Sequence, residues 1–238
     1  MSSPNNYELK RLRLLFEKSK ERKKEGLFVI EGLREIEKAV LGGYKIKTIF
    51  IREGSESFYS EILKKSKTEL SFCVEKSVFD RISMRSGSEK IIAIANTKIH
   101  TLEHLNHSNN GIVLVVEAPE KPGNIGALYR TAAAAKISSI IIANPKTDFY
   151  NPNSIRSSLG SIFLVPTAIA PSSKVISYLK NKFYKILTAT VKPNALNYLK
   201  CSFKRPCAII MGAESTGLSS PWIAATDQNL IIPMHESV

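Results

Sequence analysis

Residues 112–132 read IVLVVEAPEKPGNIGALYRTA, an apolar run followed by a turn and the start of a helix pattern. The run Ile112–Val116 is apolar at every position, which is typical of a strand covered on both faces of a parallel sheet. From this stretch to residue 238, strand and helix patterns alternate. We therefore predict an α/β domain at residues 112–238, built on a mostly parallel sheet with helices on both faces.

Residues 1–97 predict a smaller α/β domain in front of it. Its first element is a helix from Tyr7 to Lys24, in which apolar residues recur at helical spacing among many basic ones. The polar stretch 98–111 ends in Asn-Asn-Gly and is interpreted as a linker. A chain of 238 residues exceeds the usual size of one domain, which agrees with two separate cores.

The chain carries 34 basic and 21 acidic residues, a formal net charge of +13. Such an excess attracts polyanions and makes their binding salt-dependent through counterion release. A lysine-rich composition without any binding role is the alternative interpretation. Widely spaced cysteines, a polar N-terminus and the lack of an apolar run of roughly 20 residues predict a cytoplasmic protein without a membrane segment.

Three histidines in the predicted linker, His100, His104 and His107, have a spacing that metal ligands can use. No carboxylate or cysteine cluster accompanies them, so we interpret them as solvated and predict no metal site. Neither Gly-x-Gly-x-x-Gly after the apolar strand nor Gly-x4-Gly-Lys-Ser/Thr occurs, which argues against nicotinamide dinucleotides and P-loop nucleotides as ligands.

Ligands of open parallel sheets bind in the loops beyond the carboxyl ends of the strands. In the first such loop, Asn124 is suited to cap a helix that we predict from Ile125, and Arg130 follows almost two helical turns later. In the second, Glu214 lies between two glycines, and in the third, Pro233 ends a buried strand. A capping role for Asn124 and a turn role for Glu214 are the structural alternatives.

These loops resemble those of the SpoU/TrmH family of RNA 2′-O-ribose methyltransferases. The family's first motif, Asn-x-Gly-x-x-x-Arg-Thr-Ala, is met at residues 124–132, and its second, Gly-x-Glu-x-x-Gly-Leu, at residues 212–218. Arg156-Ser-Ser-Leu-Gly-Ser looks like the intervening Arg-x-Ser-x-Gly segment, and Ile232-Pro-Met begins the third motif. That motif continues into Ser-Leu-Asn, which does not occur in the sequence up to Val238.

The first domain is more loosely similar to the ribosomal-protein-like substrate domain of rRNA-modifying members, most clearly at Phe28-Val-Ile-Glu-Gly. The resemblance as a whole implies a C-terminal trefoil knot and a homodimer whose active site is built at the subunit interface. It also implies S-adenosylmethionine as the cofactor, bound mainly by the backbone. The cofactor-binding residues would be Thr190, Gly212, Ile232 and Met234.

By the same resemblance the catalytic residues are Asn124, Arg130 and Glu214. An arginine is a poor base because its guanidinium stays charged, so we assign Arg130 to stabilisation of the developing alkoxide, with Asn124 and Glu214 orienting it. The basic first helix and one later arginine are the expected RNA contacts: Arg11, Arg13, Lys18, Arg22, Lys23, Lys24 and Arg156.

The function that the resemblance implies is S-adenosylmethionine-dependent 2′-O-methylation of a ribose in structured RNA. The separate N-terminal domain favours rRNA as the substrate, by analogy. The alternatives are a tRNA ribose methyltransferase and a non-catalytic RNA-binding or ribosome-assembly protein that has kept the fold. The complete first and second motifs argue against the non-catalytic alternative.

Overall fold

The structure, a computed structural model, describes Met1 and residues 6–84, 89–106, 109–192 and 194–234. By their internal contacts the residues divide into two compact units. The first unit comprises Met1–Ile99, Pro122–Arg130 and Asp148–Leu164. The second comprises His100–Lys121, Thr131–Thr147 and Val165–Val238.

The elements of residues 1–99 are, in chain order, α1 (Tyr7–Glu17), α2 (Ser19–Glu25), β1 (Leu27–Glu31), α3 (Leu33–Leu41), β2 (Ile46–Arg52), α4 (Ser60–Ser66), β3 (Leu70–Val74), α5 (Lys76–Ile82) and β4 (Ile91–Asn96). Those that follow are β5 (Ile112–Glu117), α6 (Pro122–Ala134), β6 (Ser139–Ala143), α7 (Pro152–Ser157), β7 (Thr167–Ala170), α8 (Ser172–Asn181), β8 (Lys185–Ala189), β9 (Leu196–Asn197), β10 (Cys207–Met211), α9 (Ser220–Ala225) and β11 (Gln228–Ile231).

The first unit is built on a four-stranded sheet with the order β1-β4-β2-β3. β4 pairs antiparallel with both β1 and β2, and β3 pairs parallel with β2. Helix α1 packs its apolar face on this sheet, where Leu9, Leu12 and Leu15 are buried together with Phe50 of β2. The helical spacing of these leucines therefore reflects burial, as the sequence predicts.

The N-terminal helix is interrupted, although the sequence predicts one helix from Tyr7 to Lys24. Lys18 is extended, with φ −119° and ψ 110°, and separates α1 from α2. The cause is Arg22, whose guanidinium turns back to donate to the carbonyls of Leu15 (2.7 Å) and Phe16 (3.1 Å) at the end of α1. The last four carbonyls of any α-helix have no N–H partner within the helix. Arg22 supplies hydrogen-bond donors to two of these carbonyls.

Arg22 also forms a buried ion pair within the first unit. Its Nε donates to Asp148 Oδ2 at 2.6 Å, and its side chain is only 4% exposed. A buried charge of this kind requires a partner and additional hydrogen bonds, and Arg22 has both. The expectation that Arg22 contacts RNA is therefore wrong, because its charge is consumed inside the fold.

Residues 148–164 share an aromatic core with β1 in the first unit. Phe28 stacks on Tyr150 at a centroid distance of 4.3 Å, and Tyr44 meets the edge of Phe163 at 5.0 Å. Burial raises the pKa of Tyr44 to about 12. This cluster ties the segment that contains Arg156 to the N-terminal sheet, since offset and edge-on aromatic pairs are specific in geometry.

The second unit is built on a seven-stranded sheet with the order β7-β6-β5-β10-β8-β11-β9. Every strand pairing recorded for it is parallel. On one face, Val175 and Leu179 of α8 and Trp222 of α9 cover residues such as Ile210. Residues of the opposite face, including Ile142, are buried as well. Coverage of this face is incomplete along β5, where Ile112 and Leu114 are only half-buried, so the run of residues 112–116 is not buried at every position as the sequence predicts.

Two local predictions differ from the structure. Within the alternating pattern, the sequence predicts a strand at Phe163–Pro166. That strand is absent: residues 161–163 form a 3₁₀ turn, and β7 begins only after Pro166, which has no N–H to offer to a strand ladder. In the stretch interpreted as a linker, Leu102 and Leu105 are buried in the core of the second unit. Because the residues around these two leucines are polar, the sequence does not indicate that they are buried.

Several sequence features concern residues outside those described: His107, and residues 235–238, on which the third motif and the implied knot depend. Across the described ranges, no three His, Cys, Asp or Glu side chains are grouped as a metal site would require. No helix in those ranges has the length and apolarity needed to cross a membrane.

Replacement of Arg22 by Met should lower the free energy of unfolding by about 3 kcal/mol, because it leaves Asp148 buried without its partner and exposes two orphaned carbonyls. Urea unfolding followed by circular dichroism measures this. Lys24→Met, two residues away and exposed, is the matched control and should change the free energy by less than about 0.5 kcal/mol. Equal effects of the two substitutions would contradict the role given to Arg22.

Candidate active site

Three cofactor-binding positions that the resemblance implies lie at one edge of the second unit's sheet. Strands β10, β8 and β11 are consecutive and parallel, so their carboxyl ends lie side by side. Thr190 follows β8, Gly212 follows β10 and Ile232 follows β11. The backbone N–H of Thr190 donates to the carbonyl of Leu230 at 2.9 Å, which joins two of these ends directly. The structure therefore brings the predicted cofactor-binding positions together.

The loop of residues 212–218 is closed by two backbone hydrogen bonds. Ala213 N donates to Gly217 O (3.1 Å), and Gly217 N donates to Ala213 O (3.0 Å). Gly217 has φ +66°, where a side chain is strained, and a Cβ at Gly212 would lie 2.5 Å from Leu218 N. Both glycines are therefore dictated by the loop itself, which presents Glu214 exposed at its tip.

A buried carboxylate, Glu117 at the end of β5, anchors this loop. It is 3% exposed, and it accepts hydrogen bonds from Ser219 N (2.8 Å), Ser219 Oγ (2.7 Å) and Ser172 Oγ (2.9 Å). Ser219 begins α9 directly after the loop, and Ser172 begins α8. Bonds to a charged acceptor are stronger than neutral ones, so one side chain fixes three segments relative to each other.

Ser172 extends the network to two further side chains. Its Oγ accepts from Trp222 Nε1 at 3.1 Å and from Asn144 Nδ2 at 2.9 Å. Asn144 follows β6, so the network spans the carboxyl ends of β5 and β6 and the start of α8. Buried polar groups connected in this way specify one arrangement of the loops, because any shift leaves a donor unsatisfied.

A second carboxylate holds the tip of the same loop at the surface. Glu120 Oε1 accepts from Ser215 Oγ at 3.1 Å, next to Glu214, and from Lys146 Nζ at 2.6 Å. The hydrogen bond from Lys146, supported by that from Ser215, lowers the pKa of the Glu120 carboxyl. Glu120 and Glu117 thus hold the chain at Ser215 and Ser219, the residues next to Glu214 and directly after the loop.

Apolar side chains are left exposed at the same edge. Ile232 and Met234, which follow β11, are 48% and 66% exposed, and Val191, which follows β8, is 89% exposed. Apolar side chains make up most of a nucleoside pocket, which has only a few polar anchors.

The first motif lies on α6. The helix begins at Pro122, with Lys121 as N-cap, and not at Ile125; the expectation that Asn124 caps it is wrong, because proline at the first position starts the helix earlier. Asn124 and Arg130 are both exposed. A Cβ at Gly126 would lie 2.6 Å from Ser154 O, so this glycine permits close approach to α7 within the first unit.

The candidate RNA contacts of the first unit differ in how free their charges are. Arg11 is held by Glu25 at 2.6 Å, and Arg13 by Glu17 at 2.9 Å. The remaining exposed candidates, apart from the buried Arg22, are Lys18, Lys23, Lys24 and Arg156. Part of the positive charge predicted for this surface is therefore already neutralised by neighbouring acids.

Glu117 is the functional-site residue that the sequence reasoning missed. The signal was present: a glutamate that ends an otherwise apolar strand is costly unless donors surround it. Nothing in the local sequence identifies those donors, since Ser172 and Ser219 are 55 and 102 residues away.

A parallel sheet with glycine-shaped loops at its carboxyl edge defines the class of α/β proteins whose ligand site lies beyond the strand ends. Residues 111–238 match the SpoU rRNA Methylase family, and residues 6–93 match the MRM3-like substrate binding domain. Because the first match covers more than half of the chain, the protein belongs to the SpoU rRNA Methylase family.

Individual relatives agree with this assignment over nearly the whole chain. A 23S rRNA (uridine(2479)-2′-O)-methyltransferase of Streptomyces viridochromogenes is 26% identical over 90% of this chain and 77% of its own length. The 23S rRNA (guanosine(2553)-2′-O)-methyltransferase RlmP of Bacillus subtilis is 25% identical over 99% of this chain and 90% of its own. The crystal structure of the SpoU methyltransferase AviRb from Streptomyces viridochromogenes in complex with the cofactor AdoMet superposes with a TM-score of 0.88 at 25% identity, covering 98% of this chain and 91% of that one.

Glu117→Gln should destabilise the second unit by about 2 kcal/mol, since the amide nitrogen cannot accept and leaves one buried donor unsatisfied. Urea unfolding, monitored by the fluorescence of Trp222, measures the change. Glu120→Gln, in the same loop but at the surface, should have a clearly smaller effect. If Glu120→Gln were the more damaging substitution, the network around Glu117 would not be what holds the loops.

Proposed function

We propose that this protein transfers the methyl group of S-adenosylmethionine to a ribose 2′-hydroxyl of rRNA. The observation that carries the proposal is the adjacency of the strand ends after β10, β8 and β11, with their glycine-shaped loop and exposed apolar side chains. Membership of the SpoU rRNA Methylase family supports the reaction. The 23S rRNA specificity of two relatives supports the substrate class.

The cofactor site that we propose is formed by Thr190, Gly212, Ile232 and Met234. S-adenosylmethionine, when bound, supplies a methyl group on a positively charged sulfur, from which a neutral thioether leaves. Backbone N–H and C=O groups at the strand ends would hold the adenine edge, and Ile232 and Met234 would contact the ring. The closed turn of residues 213–217 leaves no room for side chains at Gly212, which keeps the backbone accessible.

The difficulty of the reaction lies in the ribose hydroxyl, which is a weak nucleophile at neutral pH. Positioning and stabilisation of negative charge on its oxygen should therefore dominate catalysis. We assign Arg130 to this role, because a guanidinium stays charged and can donate to the oxygen and to a neighbouring phosphate. Asn124 and Glu214 are assigned to orienting that arginine and the ribose.

The RNA contacts of the first unit are proposed to be Lys18, Lys23, Lys24 and Arg156, with smaller contributions from the paired Arg11 and Arg13. The match of residues 6–93 to a substrate binding domain supports this assignment. We further propose a cytoplasmic homodimer, which the family resemblance implies. Light scattering coupled to size exclusion at several concentrations tests the dimer, and a monomer throughout would remove it.

The direct test is incubation of the purified protein with rRNA or tRNA and S-adenosylmethionine that carries a labelled methyl group. Digestion to nucleosides and mass spectrometry should show the label in 2′-O-methylnucleosides of rRNA. Label in bases only would refute ribose methylation. Label in tRNA alone would correct the substrate, and binding of rRNA without any label would favour the non-catalytic alternative.

Gly212→Ala should weaken S-adenosylmethionine binding by about tenfold or more, equivalent to about 1.4 kcal/mol. The added Cβ would collide with the backbone of Gly217, so the loop must open. Calorimetric titration of the cofactor measures this. Gly123→Ala is the control, because its Cβ would meet no atom within 4 Å and its φ is not positive. Unchanged affinity in Gly212→Ala would place the cofactor elsewhere.

Arg130→Ala should lower kcat by about a hundredfold, the usual cost of losing one stabilising donor, while the affinity for S-adenosylmethionine stays unchanged. Arg81→Ala removes another exposed arginine and should leave both quantities unaltered. Single-turnover kinetics with rRNA separate the chemical step from binding. A loss of RNA affinity alone, with normal turnover at saturation, would make Arg130 a binding residue only.

A further inference from the structure

Positive charge in this chain is concentrated in a long stretch without acids. Between Asp148 and Glu214 the sequence contains nine Lys or Arg residues and no Asp or Glu. The formal net charge of the whole chain is +13, so this stretch of 65 residues supplies most of it. A stretch in which no acid neutralises the bases is what a phosphate-binding surface requires, and the paired arginines of α1 lack this property.

The fold gathers part of this charge at the amino ends of β8 and β10. These strands pair in parallel with Cys207 opposite Lys185, and Lys185 N donates to Pro206 O at 3.0 Å. Lys182 and Phe183 precede β8, whereas Lys204 and Arg205 precede β10. Since neighbouring strands are about 4.8 Å apart, these side chains occupy one continuous surface. We call it the basic edge.

The charges of the basic edge are available. Lys182, Lys204 and Arg205 are exposed, and within the described part of the chain no salt bridge joins any of them to an acid. Lys185 Nζ donates to the carbonyl of Ser202 at 3.4 Å, which leaves its charge unneutralised. Asp227 precedes β11, the strand next to β8, and its carboxylate accepts from Ile186 N at 2.7 Å.

An aromatic ring in an unusual position lies among these charges. Phe183 is 87% exposed and has φ +56°, in the position after a helix end where glycine or asparagine is usual. Neither packing nor backbone preference accounts for a phenylalanine there. An exposed ring flanked by lysines is, however, suited to stack on a nucleic acid base while the lysines contact the adjoining phosphates.

We propose that the basic edge is a second RNA-binding surface, at the opposite end of the strands from the candidate active site. It rests on the proposed function in taking RNA as the partner, and it adds a contact region within the second unit. Lys182, Lys204 and Arg205 contact phosphates, and Phe183 stacks on an unpaired base. A strand of about five residues is roughly 16 Å long, so a structured RNA can reach both ends of the sheet.

The test measures the affinity of the full chain for a labelled RNA hairpin with a single-stranded tail, between about 50 and 200 mM KCl. The triple variant Lys182→Gln, Lys204→Gln, Arg205→Gln should bind more weakly and reduce the slope of log affinity against log salt by about 2 to 3. The control variant Lys64→Gln, Lys65→Gln, Lys67→Gln loses the same charge from α4 and its end and should change the slope by less than about 1.

Phe183→Asn separates stacking from charge. Asparagine suits the left-handed backbone, so the fold is retained, and the affinity should fall about fivefold or more with the salt slope unchanged. Equal effects of the two triple variants would show that only net charge matters and would overturn the proposal, as would unchanged binding in the basic-edge variants. If the wild-type chain bound this RNA through the basic edge but methylated no RNA, the proposed reaction would fail and the surface would stand.

Discussion

A carboxylate withheld from water at the end of β5 is the constraint on which the candidate site depends. Glu117 is satisfied only when Ser172 and Ser219 both reach it, and these serines start two different helices. Because an ionised group without donors is expensive inside a protein, the loops cannot move apart without losing that satisfaction. Glu120, at the surface, holds the tip of the same loop through Ser215. The backbone that follows the exposed Glu214 is therefore fixed at two points, Ser215 and Ser219.

The first unit uses a buried charge of the opposite sign in a comparable way. Arg22 ends α1 by donating to its last carbonyls and reaches Asp148 with the same guanidinium. Replacing such a pair by apolar residues often costs little overall, so its value lies in specifying one geometry and not in net stability. In each unit, then, a buried charged side chain positions the segments around it. Arg22 does so in the first unit and Glu117 in the second, and neither is assigned a contact with cofactor or RNA.

The alternation of strands and helices and the two complete motifs were sufficient to predict the parallel sheet, the family and the loops after β5, β10 and β11. Periodicity reports which face of an element is buried, and motif spacing reports loop shape. What could not be predicted depends on contacts between residues remote in sequence. In the sequence, Arg22 is one of many basic residues in a basic helix. Its ion pair with Asp148 could not be predicted, because the two residues are 126 positions apart. Two element boundaries were predicted wrongly because of nearby prolines. Helix α6 begins at Pro122, before the predicted start, and β7 begins after Pro166.

The interruption at Lys18 has a consequence for how the N-terminal basic residues meet a polyanion. A lysine-rich segment on a loose hinge would have to give up many orientations on binding, at a cost of about 1 to 2 kcal/mol for each backbone residue that becomes ordered. Here the bend is already set by Arg22, so the lysines of α2 keep one direction before any partner arrives. The conformational-entropy cost of ordering these lysines is therefore incurred during folding and is not added to the free energy of binding a polyanion.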